Sequence, residues 1–208
     1  MIFGKITQNI ELRLIDRPQS EPLFRLIDSN REHLRRWHPW VDLMRSTGDV
    51  NKAISVWQLQ HAKNLGFCAG IWFNETLCGI INHLNVDWLN RSTSLSYWLA
   101  ASHQGKGIMT ECCRAFINHA FDTWRLNRIS IGCASDNVRS RAIPERLGFN
   151  FEGIIRGVEW LHDHYVDHAV YGLLRSEARL NPAMPAKDPR ANFHPATVSV
   201  GPAMSRLS

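Results

Sequence analysis

Residues 104–109 read Gln-Gly-Lys-Gly-Ile-Met, and their types and spacing are those of an anion-binding loop. Gly105 and Gly107 remove side chains from two points of a short turn between an expected strand and an expected helix. Successive backbone N–H groups in such a turn converge into a concave donor nest. The first N–H groups of a helix lack internal acceptors, and the helix dipole adds positive partial charge there. Phosphate or pyrophosphate suits that place, and Lys106 adds a full charge. Two better-known phosphate loops are excluded. GxxxxGK[ST] is absent, and the preceding chain reads as hairpins, whereas a dinucleotide fingerprint needs a βαβ unit. By itself the loop implies only an anion at a helix start.

The elements that must position this loop follow from hydrophobic period. Residues 10–15 alternate apolar and polar and predict a strand, stopped by Asp16-Arg17-Pro18. Ser20 is the candidate N-cap of a helix through Ile27. A second helix is expected over 30–36. It ends at Trp37-His38-Pro39-Trp40, because the residue before proline is pushed out of helical geometry. Asp49 is the candidate cap of a third helix running to residue 64. Apolar runs at 67–73 and 76–84, around Asn74-Glu75, predict a hairpin, and 94–99 predicts another strand. A helix to residue 121 carries Ile108, Cys112, Phe116 and Ala120 on one face. A strand at 128–134 precedes a helix entered at Asp136-Asn137 and ended at Gly148. Strands at 149–155 and 165–174 complete the order. The expected class is α/β in the broad sense (α+β): one mixed, mostly antiparallel sheet with helices on both faces.

Composition bounds the function. The chain has 208 residues, 44% hydrophobic and 21% charged, which fits one domain with a sizeable core. The domain is expected over 1–178. Residues 179–208 hold five of the nine prolines and no apolar period, so a flexible tail is expected there. No window approaches the roughly 18–20 apolar residues of a membrane span, and the first residues lack the apolar stretch of a signal peptide. A cytoplasmic protein without a membrane partner is expected. Cys68, Cys78, Cys112, Cys113 and Cys133 are odd in number and form no CxxC pair. Buried reduced thiols are expected, with neither a disulfide framework nor a zinc site. The net charge of +5 suits an anionic cofactor; no Lys/Arg block reads as a nucleic-acid arm.

The loop resembles the acetyl-CoA loop of GNAT acetyltransferases, Gln/Arg-x-x-Gly-x-Gly/Ala, with Met109 where Gly or Ala is usual. Residues 137–149, Asn-Val-Arg-Ser-Arg-Ala-Ile-Pro-Glu-Arg-Leu-Gly-Phe, resemble the family's next helix, an Asn-led segment ending in Gly-Phe. The wider text is similar to the RimJ/RimL branch, whose members acetylate the N-terminal α-amine of ribosomal proteins. The resemblance covers residues 8–175.

The resemblance implies a GNAT fold and direct transfer of acetyl from acetyl-CoA to an amine, without metal. The main chain of Ser96, Tyr97, Trp98 and Leu99 would pair with pantetheine. Gln104, Gly105, Lys106, Gly107, Ile108 and Met109 would hold the pyrophosphate, and Asn137 the pantetheine region. Many relatives place a tyrosine acid where this chain has Pro144, so that role passes to Ser140 in the branch's pattern. Glu159 matches the branch's glutamate base, and Val158 and Trp160 are expected to raise its pKa by desolvation. His162, His164 and His168 are placed on one strand face by period two, with no role assigned. Arg31, Arg35, Trp37 and Trp40, in a segment that also holds Arg36 and His38, are expected to receive the amine substrate. An α-amine has a pKa of about 8 against about 10.4 for lysine, so a weak base suits a protein N-terminus better. The alternatives are acetylation of a small amine such as a polyamine or amino acid, and a non-catalytic acetyl-CoA sensor. The branch also implies a homodimer.

Overall fold

The structure of the chain, a computed structural model, describes residues 4–180. Its centre is one eight-stranded sheet. The strands are β1 (Gly4–Lys5), β2 (Ile10–Leu14), β3 (Phe67–Phe73), β4 (Thr76–Asp87), β5 (Ser92–Leu99), β6 (Arg128–Ala134), β7 (Asn150–Leu161) and β8 (His164–Leu174). They lie in the order β1-β2-β3-β4-β5-β6-β8-β7. Every neighbouring pair is antiparallel except β5 and β6, which are parallel.

Helices cover both faces. One face carries α1 (Ser20–Ser29), α2 (Arg31–Arg35) and α3 (Thr47–Ala62). Leu23, Ile27, Leu34, Val50 and Ile54 of these helices pack on Cys68, Trp72, Ile80 and Trp98. The other face carries α4 (Ile108–Asn118) and α5 (Val138–Arg146), with α6 (Arg175–Leu180) closing the described chain. Ile108, Cys112, Phe116 and Ile117 pack there on Ala69, Ile71, Ile81, Leu95 and Ile131. On β3 the period of two sends Cys68 to one core and Phe67, Ala69 and Ile71 to the other, so a strand buried on both faces reads as an unbroken apolar run. All five cysteines are buried and unbridged.

Several boundaries differ from expectation for local reasons. The first capping box belongs to Asp16 and Gln19 in a 3-10 turn; Ser20 is already helical and its hydroxyl donates to the Arg17 carbonyl. Ser46, not Asp49, caps α3: its Oγ accepts from the Asp49 N–H, and the Asp49 carboxylate takes the Ser46 hydroxyl and the Arg45 N–H in return. α4 runs on into a π-turn at His119–Thr123. β7 continues past Ile155 because a bulge there, with Gly157 at φ 56, breaks the alternation without ending the strand. The expected tail begins inside α6 and otherwise lies outside the described residues. Among the described residues, no helix is long and apolar enough to cross a membrane.

Candidate active site

The parallel pair β5–β6 is held together for only three rungs, Ser92 with Arg128, Thr93 with Ile129 and Ser94 with Ser130. Beyond the last rung each strand keeps its other neighbour. β5 stays paired to β4 through Leu99, and β6 to β8 through Ala134. The two strands therefore part, and the edge of β5 that faces β6 offers free backbone groups from Leu95 onward. The splayed ends are fixed. The Ala101 N–H donates to Asn30 Oδ1 at 3.0 Å, and the Ser135 N–H to the Asp167 carbonyl at 2.8 Å. A cavity of about 1540 Å³ fills the gap and runs over both faces of the sheet.

The glycine loop closes one end of this cavity. Gly105 and Gly107 adopt φ +75 and +76, in the left-handed region, and a Cβ on either would meet nothing within 4 Å. The space beside them thus belongs to a ligand. Gly107 is the N-cap of α4, so the unpaired N–H groups of the first helical turn open onto the cavity. Met109 is 6% exposed, its side chain packed in the core, so its bulk is drawn in from the loop rim. Lys106 lies over the Phe73 ring, its Nζ 5.7 Å from the centroid. Gln104 is held from both sides. Its Oε1 accepts from Arg139 Nη1 at 2.7 Å, so its amide nitrogen must donate to His33 Nε2 at 2.8 Å. Burial, with Arg139 and Arg36 nearby, holds His33 below the usual histidine range, which leaves that nitrogen an acceptor.

The second motif lines the opposite wall. Asn137 Oδ1 caps α5 by accepting from the Ser140 N–H at 3.1 Å. Ser140 is half-buried and lines the cavity beside Cys133, whose thiol is pushed up by burial. Glu159 on β7 and His168 on β8 also line the cavity and are bonded to each other, Nε2 to Oε2, at 3.0 Å. The apolar shield expected from Val158 and Trp160 is absent. Strand neighbours point to opposite faces, and these two are 48% and 51% exposed.

Period two also failed for the histidines. His162 sits in the turn at φ 61 and bonds Asp42 and the Arg35 carbonyl, while His164 bonds Asp163. Of the four residues expected to receive substrate, Trp37 alone lines the cavity. Arg31 donates to Asp28 and to the carbonyls of Val41 and Met44, and Arg35 pairs with Asp42. Trp40 packs against Trp98 with ring centroids 6.2 Å apart. The helical period explains the error. Arg31 and Arg35 share the face that holds the following 3-10 segment, whereas His33, Arg36 and Trp37, at i, i+3 and i+4, share the face over the cavity.

Comparison with known proteins decides what this arrangement is. The family described as Acetyltransferase (GNAT) domain matches residues 9–150. The chain belongs to the GNAT acetyltransferases. It is 36% identical over 178 residues to YdaF of Bacillus subtilis (strain 168), which covers 85% of this chain and 97% of that protein. It is 30% identical over 167 residues to the ribosomal-protein-serine acetyltransferase of Escherichia coli (strain K12), over 80% of this chain and 93% of that one. Among solved structures, the ribosomal L7/L12 α-N-protein acetyltransferase RimL, in complex with coenzyme A, superposes with a TM-score of 0.80. Its identity is 25%, over 83% of this chain and 97% of that one.

This GNAT protein is therefore an acetyl-CoA-dependent N-acetyltransferase. Its residues fit the donor. The open φ-positive glycines and the free edge of β5 suit the phosphates and the amide-bearing arm of such a donor. His33, His38 and Cys133 were not assigned to the site from sequence. Burial holds His38 down to about 4, which keeps it neutral at physiological pH. Their signal was the helix face and the gap, neither of which exists before the strands are placed.

Proposed function

We propose that this GNAT enzyme acetylates the N-terminal α-amine of a protein, a ribosomal protein being the first candidate. The observation that carries the reading is the continuity of one cavity from the glycine loop, through the β5–β6 gap, to Glu159 and His168. The relatives named for ribosomal-protein acetylation support the substrate. Acetyl-CoA would lie with its pyrophosphate on residues 104–109 and its pantetheine along Ser96, Tyr97, Trp98 and Leu99, near Asn137. Bound there, it supplies an activated acetyl carbonyl. Glu159 provides the negative charge that favours loss of a proton from the amine, and Ser140 a hydroxyl toward the departing sulfur. Trp37 and Arg36 stand at the amine entrance.

The cytoplasm is the compartment in which such a substrate is met. A homodimer is part of the same proposal. β7 is a sheet edge with Phe151, Ile154, Ile155, Val158 and Trp160 exposed, and such an edge invites a second copy. Sedimentation at several concentrations tests that part.

The test of function is thiol release from acetyl-CoA with a panel of N-terminal peptides, lysine peptides and polyamines. Turnover on Ser- or Ala-initiated peptides is expected. Turnover confined to polyamines or amino acids moves the substrate to a small amine. Coenzyme A binding without turnover on any amine turns the reading into that of a sensor.

A further inference from the structure

Resting on the acetyl-transfer reading above, we propose that His168 is the group that takes the proton from the amine, with Glu159 as the positioning residue behind it. The two side chains meet at 3.0 Å. The bulge in β7 makes the meeting possible. The Gly157 N–H donates to Asp167 Oδ1 at 2.8 Å, holding the bulge, and strand pairing resumes with Glu159 opposite Val166. From there Glu159 reaches diagonally to His168, two residues along β8. The backbone of His168 is itself fixed by pairing with Ala134 on one side and Ile155 on the other. Gly132 lies beneath the ring. A Cβ at that position would stand 3.6 Å from Nδ1, so a longer side chain would crowd the nitrogen. Gly132, Glu159 and His168 all line the cavity.

The chemistry follows from the donor inventory. An ionised carboxylate only accepts, so Nε2 carries the hydrogen and Nδ1 keeps its lone pair. No described residue bonds that Nδ1. The carboxylate thus fixes the tautomer and stabilises the imidazolium that forms. The substrate ammonium passes one proton to Nδ1. Its nitrogen then forms the C–N bond at the thioester carbon as the C–S bond breaks with its electron pair on sulfur. The second amine proton, released as that bond forms, ends on the sulfur by way of Ser140 or water, and His168 returns the first to solvent.

The other titratable groups around His168 are engaged or shifted. Cys133 on β6 is pushed up by burial, Asp167 on β8 is occupied by the Gly157 N–H, and His38 across the cavity is held at about 4.

The experiment compares the wild-type protein with His168→Ala, His168→Gln and Glu159→Gln, using a peptide that the wild type acetylates. His168→Ala is expected to lower kcat about 100-fold with coenzyme A affinity kept within about twofold, to lose the acid limb of the pH profile, and to regain rate with added imidazole. A kcat within about threefold of wild type, with the acid limb unchanged, overturns the proposal. Nitrogen-15 NMR of His168 gives a reading independent of turnover. An Nε2–H tautomer that redistributes in Glu159→Gln is expected, and an Nδ1–H tautomer in the wild type overturns the assignment. A wild type inactive on every amine removes the function reading, while the tautomer still decides the pair.

Discussion

The Tyr97 hydroxyl donates to the carbonyl of Ser140 at 3.3 Å, from the wall of β5 to the first turn of α5. In a regular helix that carbonyl accepts from the residue four positions on. Here that residue is Pro144, which has no N–H to give. Tyr97 therefore ties the two walls of the gap together through a group that proline leaves open.

Tyr97→Phe is expected to cost about 1 kcal/mol of stability, the net value of one such bond. In a Pro144→Ala background the helical N–H is restored and the cost of Tyr97→Phe is expected to shrink toward zero. Urea unfolding of the four proteins in this cycle measures the coupling. Additive costs would show that the tyrosine bond does not depend on the proline.

Gly107→Val separates backbone strain from ligand exclusion. In the free protein a Cβ at 107 meets nothing within 4 Å, so no clash is expected. The left-handed φ of +76 should still cost about 1–2 kcal/mol of stability. Binding should suffer in addition, because the side chain enters the space reserved for the pyrophosphate. Coenzyme A affinity is expected to fall at least about tenfold, measured by calorimetry. Unchanged affinity would remove the loop from the donor site.

The loop was legible in the sequence because glycine spacing and a helix start act locally, and the two structured motifs lie where period and punctuation place them. What escaped was non-local. Glu159 and His168 are nine residues apart on two strands, and they meet only because a bulge at Gly157 shifts the register. Arg31 and Arg35 looked like substrate ligands by type alone. Their partners at Val41 and Asp42 lie on a 3-10 segment, Pro39–Leu43, and Met44 just after it, and the sequence does not reveal that path. The splay itself depends on how few rungs β5 and β6 share, a matter of sheet geometry.

Glu159→Gln is expected to lower kcat at least about tenfold, since a neutral amide cannot stabilise a proton on His168 as a carboxylate does. Coenzyme A affinity should stay within about twofold, because Glu159 lies on β7, separated from β5 and its glycine loop by β6 and β8 in the sheet. Stopped single turnovers with a saturating peptide distinguish the two quantities. A loss confined to coenzyme A binding would place Glu159 in the donor site instead.

Acid should weaken the fold through buried histidines. His83 is 1% exposed, and among the described residues neither ring nitrogen has a hydrogen-bond partner of good geometry. Burial, with His119 beside it, holds it well below the usual range, and His38 and His119 are each brought down to about 4. In the unfolded chain all three titrate near about 6.5. The unfolded state therefore binds more protons below that value, and stability present above about pH 6.5 is lost as pH falls toward 4. The His83 ring stacks on Phe116 with centroids 4.8 Å apart, so His83→Phe keeps the packing and removes one titrating group. The urea midpoint of the variant should fall less between about pH 7 and about pH 5 than that of the wild type. Equal falls would mean that His83 is not part of the acid response.

Arg36 is an exposed cation on the cavity wall, with no ion pair to any other described residue. Its neighbours Arg31 and Arg35 spend their charge on the protein's own acids and carbonyls, so Arg36 is the one of the three left to face a substrate. An acidic residue close behind the acceptor amine would meet it. Because the group is exposed, its pull is screened by salt and its effect on affinity is modest. Arg36→Glu is expected to raise KM for an acidic N-terminal peptide about tenfold at low ionic strength and to leave kcat nearly unchanged, since the charge acts on binding before and during the reaction alike. At about 0.5 M salt, where screening acts within a few ångströms, the difference should almost vanish. A neutral peptide of the same length should show little change at either salt concentration. Equal effects on acidic and neutral peptides would mean that Arg36 shapes the entrance without reading charge.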